Sequence, residues 1–139
     1  MNWLWWAILS AAFAGLTAIL AKIGVKDVDS NLATAVRTSV ILIFAWLVAA
    51  ITTRQPLHTV MPRAWLFLAL SGLATGASWL CYFRAIQLGD VAKVAPIDKL
   101  SVVVAMALAA IFLGESLTVW HWLGGVLIVS GAVVIACAG

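Results

Sequence analysis

The sequence predicts an all-α integral membrane protein whose 139 residues form one domain of five transmembrane helices. Composition is the first reason. Hydrophobic residues make up 65% of the chain and charged residues 9%, against roughly 45 to 50% and about 25% in soluble domains. The second reason is that the apolar residues run in continuous stretches of about 20, the length a helix needs to cross the hydrocarbon core. A membrane β-barrel would instead alternate apolar and polar residues over segments of about ten. The net charge of +3 does not point to nucleic acid, because the eight Lys and Arg residues stand singly among apolar runs and form no patch able to track phosphates.

The five stretches lie near Trp3 to Ala21, Leu32 to Ile51, Trp65 to Phe83, Val91 to Leu113 and Val119 to Ala136. The first contains Ala12-Phe13-Ala14, which resembles a signal-peptide cleavage site, but no Lys or Arg precedes Lys22. It is expected to be a retained helix. Lys22 to Asn31, Thr52 to Ala64 (with Pro56 and Pro62), a tight Arg84 to Asp90 turn and Gly114 to Thr118 connect the stretches. Connections this short make consecutive helices antiparallel. In the third stretch Gly72-Leu73-Ala74-Thr75-Gly76 has the GxxxG spacing that lets helices approach closely, and Ala11, Gly15, Ala105, Ala109, Gly124, Gly125 and Gly131 offer further small surfaces.

An odd number of spans puts the two termini on opposite faces. Sorted by face, charge and tryptophan separate. Lys22, Lys26, Asp27, Asp29, Arg37, Arg84, Asp90, Lys93, Asp98 and Lys99 fall toward the face remote from residue 1, while only Arg54, Arg63 and Glu115 fall on the other. Trp3, Trp5, Trp6, Trp46, Trp65, Trp120 and Trp122 gather toward the charge-poor face as an interfacial belt, leaving Trp79 with Tyr82 on the charge-rich side. Counting loop cations alone, Lys22, Lys26, Arg84 and Lys93 outweigh Arg54 and Arg63 only slightly. The positive-inside rule then orients the chain weakly, and insertion both ways stays open.

Three ionisable groups fall inside predicted spans. Arg37 sits about six residues into the second helix, roughly 9 Å deep at 1.5 Å per residue, and Asp98 and Lys99 reach a similar depth in the fourth. Each such charge costs on the order of 2.5 to 3.5 kcal/mol at the bilayer centre, so all three call for partners or a wet cavity. Neighbouring helical residues point about 100° apart, which makes Arg37 or Lys22 the expected partner of Asp98. Pro96, if inside the helix, removes the bond to the Ala92 carbonyl and kinks the chain beside the charges. Broken helices of this kind build transporter sites.

The alternatives are plainer. Pro96 as the first helical residue would leave Asp98 complementing the helix dipole and Lys99 snorkelling. Arg37 reads in this case as an interfacial snorkelling residue, Lys22 as a helix-end anchor, and Glu115, following Gly114, as a cap of the fifth helix. Trp79 and Tyr82, three apart on one helical face, either line a cavity or fill a belt. Cys81 and Cys137 lie in separate apolar runs as plain membrane residues. His58 and His121 have no accompanying metal spacing. With no Ser/His/Asp set, phosphate loop or cofactor fingerprint in the sequence, neither an enzyme, a metal nor a cofactor is expected.

The run Ser78-Trp79-Leu80-Cys81-Tyr82-Phe83-Arg84-Ala85, then Gly89-Asp90, Val94-Ala95-Pro96-Ile97-Asp98-Lys99-Leu100-Ser101 and Leu113-Gly114-Glu115, resembles an EamA domain of the drug/metabolite transporter superfamily. Ala21-Lys22-Ile23-Gly24-Val25 and the arginine of the second helix extend the resemblance over nearly the whole chain. It implies one EamA-type five-helix unit, multi-pass in the cell (inner) membrane, where typical members carry two inverted units around a central cavity. A single unit implies a second chain, most simply an antiparallel homodimer like that of the small multidrug resistance proteins. Those proteins have four helices and an essential first-helix carboxylate, whereas this first helix has no acidic residue.

The expectation is a secondary transporter subunit that moves a small metabolite or amphipathic molecule by alternating access. Arg37, Asp98 and Lys99, with Lys22 and Glu115, would serve substrate or coupling, and Trp79 and Tyr82 the aromatic wall. The other possibility is a non-transporting membrane subunit or lipid-handling partner in a hetero-complex.

Overall fold

A computed structural model describes residues 2–138, and every regular element among them is a helix. Helix α1 runs Trp3–Gly24, α2 Ser30–Thr52 and α3 Pro62–Leu88, with a 3₁₀ turn at Leu57–Thr59 between the last two. Next come α4 (Val91–Asp98), α5 (Ser101–Leu108) continued by a π-helical turn (Ala109–Leu113), and α6 (Val119–Cys137). Five segments are long and apolar enough to cross a membrane, the fourth being Val91–Leu113. The chain is a multi-pass membrane protein, as the sequence predicts.

Local chemistry sets the ends. Asp29 caps α2, its carboxylate accepting from the N–H groups of Asn31 at 2.9 Å and Leu32 at 3.1 Å. Pro62 opens α3, at the position where a missing N–H costs nothing. That helix continues to Leu88, so the Arg84 to Asp90 turn expected from the sequence contracts to Gly89 and Asp90. Gly114, at φ +67°, ends the fourth span in the left-handed conformation that a side chain disfavours. Thr118 caps α6 jointly with His121: the Thr118 N–H donates to Nδ1 at 3.0 Å and the hydroxyl lies 2.7 Å from the same nitrogen. The start of the fifth span is therefore closed by Thr118 and His121, where Glu115 was an alternative.

Two compact units can be distinguished. The first, Ala21–Gln87, holds the end of α1, α2 and nearly all of α3. Its interior contains Ala21, Val25, Ser30, Thr34, Phe83 and Ile86. Hydroxyls on α2 bond back to their own helix, Thr34 to the Ser30 carbonyl and Thr38 to that of Thr34, each at 2.7 Å. This satisfies them where water is absent. The end of α3 clamps the connection between α1 and α2. Gln87 Nε2 donates to the carbonyls of Val28 at 2.9 Å and Val25 at 3.3 Å, and its Oε1 accepts from Arg84 at 2.7 Å.

The second unit comprises Met1–Leu20 with Leu88–Gly139. Both α4 and α5 pack on α6. Gly125 is buried there, with Val103 and Met106 of α5 only 3.9 Å from where its Cβ would stand. Large apolar side chains elsewhere, such as Trp3, Phe44, Phe67, Phe112 and Trp120, are exposed. In lipid this outward-facing apolar surface is the solvated state.

Candidate functional site

In the first unit two aromatic side chains of α3 converge on Arg37. The residue lies seven positions after Ser30, roughly 10 Å along α2, and is half-buried. Its guanidinium carbon stands 4.5 Å from the centre of the Trp79 ring and 5.3 Å from that of Phe83. Trp79 and Phe83 are four apart on α3, so both rings project from one helical face. A cation held over aromatic faces gains about 0.5 to 2 kcal/mol, more as water is excluded. Tyr82 is half-buried beside them in sequence.

This answers the question of what an arginine does inside the span: it stacks. Trp79 was expected as cavity wall or belt, and the structure places it against Arg37. Phe83, almost fully buried at 2% exposure, escaped sequence reading. Its signal was present, because it lies one helical turn beyond Trp79, but an apolar residue in an apolar run carries no mark of its own. Lys22 reaches across from α1 and donates to the carbonyl of Ile86 in the last turn of α3 at 2.7 Å, which favours binding a helix end over simple anchoring.

In the second unit Pro96 lies inside α4, the sixth of its eight residues, so its reading as the first helical residue is corrected. Without its N–H the Ala92 carbonyl loses its usual donor. The helix stops at Asp98 and resumes at Ser101, with Lys99 and Leu100 in a turn. Through this turn the bonds tighten to the i→i+3 pattern: Lys99 N–H to Pro96 O at 3.1 Å, Leu100 N–H to Ile97 O and Val102 N–H to Lys99 O, both at 3.0 Å. Within this unit Asp98 is paired with its neighbour Lys99. Its carboxylate meets Lys99 Nζ at 3.1 Å. The 100° argument fails because the chain leaves the regular helix at this pair, and a flexible four-carbon stem lets the lysine reach its neighbour.

Glu115 lies just beyond Gly114, with its N–H bonded to Ala109 O at 3.3 Å across the π turn. A Cβ built on Gly72 or Gly76 meets nothing within 4 Å, so this face of α3 is open among the described residues.

The sequence profile of the EamA-like transporter family matches residues 1–137. The chain belongs to that family. A protein of Sinorhizobium sp, named an uncharacterized transporter in the cobO 3′ region, is 54% identical over 136 residues, covering 97% of this chain and 96% of that protein. No solved structure is a significant match. Within this EamA domain the charge-bearing positions fall into two clusters, Arg37 with its rings in one unit and the Asp98–Lys99 pair at the helix break in the other.

Proposed function

We propose that this EamA domain is one half of a secondary transporter in the inner cell membrane, moving a small metabolite or amphipathic molecule by alternating access. The other half is a second copy inserted antiparallel. The observation that carries this reading is the interruption of the fourth span at Lys99 and Leu100, starting three residues after Pro96, with an ion pair at the break. Irregular backbone within a membrane is tolerated where it lines a cavity, and a span broken beside charge is a natural element to rock between two states. The relative from Sinorhizobium aligns over nearly all of both chains, which supports one five-helix unit per polypeptide. The open Gly72 and Gly76 face of α3 offers the second copy a surface of close approach.

Proteoliposomes incubated with a cellular metabolite extract, and analysed by mass spectrometry for what accumulates, test this directly. Wild-type protein is expected to concentrate a subset of solutes, and Asp98→Asn and Lys99→Ala to insert and assemble yet lose that flux. The pair's side chains are 35% and 56% exposed, so losing it costs the fold only about 0 to 1 kcal/mol. Wild-type flux in both variants removes Asp98 and Lys99 from the pathway. Absence of flux from the wild type, together with stoichiometric co-purification of a different polypeptide, would favour the non-transporting subunit.

A further inference from the structure

We infer that Arg37 is an anion-recognition site, and that the solute this protein takes carries a carboxylate on an apolar, preferably aromatic, body. The inference deepens the transporter reading and rests on it for the word solute, but the site itself stands on the local geometry. A guanidinium presents two different surfaces. Its faces stack on rings, and its edge carries five N–H donors in a fixed fork. Here Trp79 and Phe83 engage the cation at 4.5 and 5.3 Å from their centres, and π contacts of this kind use none of the donors. No hydrogen bond or ion pair among the described residues uses them either. The rings therefore hold the group in place without neutralising it or occupying its edge.

The surrounding charge points the same way. Toward the face on which Arg37 lies, the Ala21–Gln87 unit carries four basic residues (Lys22, Lys26, Arg37 and Arg84) and two acidic ones, Asp27 and Asp29. The Asp29 carboxylate is occupied in capping α2. An arginine held inside a span with its fork open is costly to keep, and a carboxylate that fits the fork with two parallel hydrogen bonds offsets that cost. One fixed positive charge matches a monoanion. The flanking Trp79 and Phe83 rings supply an apolar contact for the rest of the molecule.

Benzoate is the probe. Titrations of the protein in nanodiscs of zwitterionic lipid, in a background where Trp79 is the tryptophan retained, read binding through Trp79 emission. The expected result is a saturable response to benzoate and none to its neutral counterpart benzamide or to benzylamine. Arg37→Lys, which keeps the charge and loses the fork, weakens binding by about tenfold or more, and Arg37→Gln abolishes it. Benzoate binding that survives in Arg37→Gln, or a preference for benzylamine, overturns the inference. Adding anionic phosphatidylglycerol separates a solute site from a lipid headgroup site: unchanged benzoate affinity supports the solute, and displacement by the lipid overturns it.

Flux is measured separately on the same samples. Arg37-dependent benzoate binding without transport of anything would leave the anion site standing and defeat the transporter reading. Transport of other solutes without benzoate binding does the opposite.

Discussion

Arginine 37 and glutamine 87 show how single side chains in this protein do work that their positions alone conceal. Arg37 was legible as costly, since a cation inside an apolar run needs a reason, but its partners were not. They are aromatic residues on another helix, and a ring in an apolar run looks like any other apolar residue. Gln87 carried no signal at all, lying in a stretch read as turn. It nevertheless holds the turn between α1 and α2 by two donated bonds, to Val25 and Val28. Gln87→Ala leaves both carbonyls to find water or nothing, and is expected to cost about 1 to 2 kcal/mol. Thermal unfolding in detergent should show the lower midpoint, and Gln87→Glu, which cannot donate, should behave like the alanine variant.

At the scale of elements, the five spans were readable because hydropathy is a local property: about 20 apolar residues between turn signals leave the backbone only one way to satisfy its bonds in lipid. Helix interruptions are less local. Pro96 marks a defect, but where the chain gives way depends on how the neighbouring turns repack, and here the break falls three residues later, at Lys99 and Leu100. Pro96→Ala restores a donor for the Ala92 carbonyl and is expected to extend the regular helix through the break. Hydrogen exchange of the amides from 97 to 101 should then slow, and transport should fall with it. Unchanged exchange would show that the turn is held by something other than the proline.

For the whole molecule, the segregation of charge toward one face and tryptophan toward the other follows from the order of the spans, and insertion follows from the loops. The loop-cation difference is small, so orientation should be easily tipped. Two lysines added to the Lys22 to Asn31 loop, on the charge-rich face, widen the loop-cation difference and are expected to bias all copies into one orientation. Paired C-terminal reporters, one active only inside and one only outside, would then change from two signals to one. If the working form is an antiparallel pair, flux is lost at the same time. A single reporter signal from the wild type would instead support a parallel oligomer or a different partner.

The amino-acid order alone was enough to establish the membrane class, the five spans to within a few residues at their ends, and the family. All of these depend on stretches of chain interacting with lipid or on short motifs, without reference to a neighbouring helix. Only tertiary structure decided that Arg37 lies over Trp79 and Phe83, that Asp98 turns to Lys99, and that Gln87 and Lys22 bind backbone carbonyls distant in sequence. A side chain's partner is set by which helical faces meet and where the helix breaks, and both depend on packing.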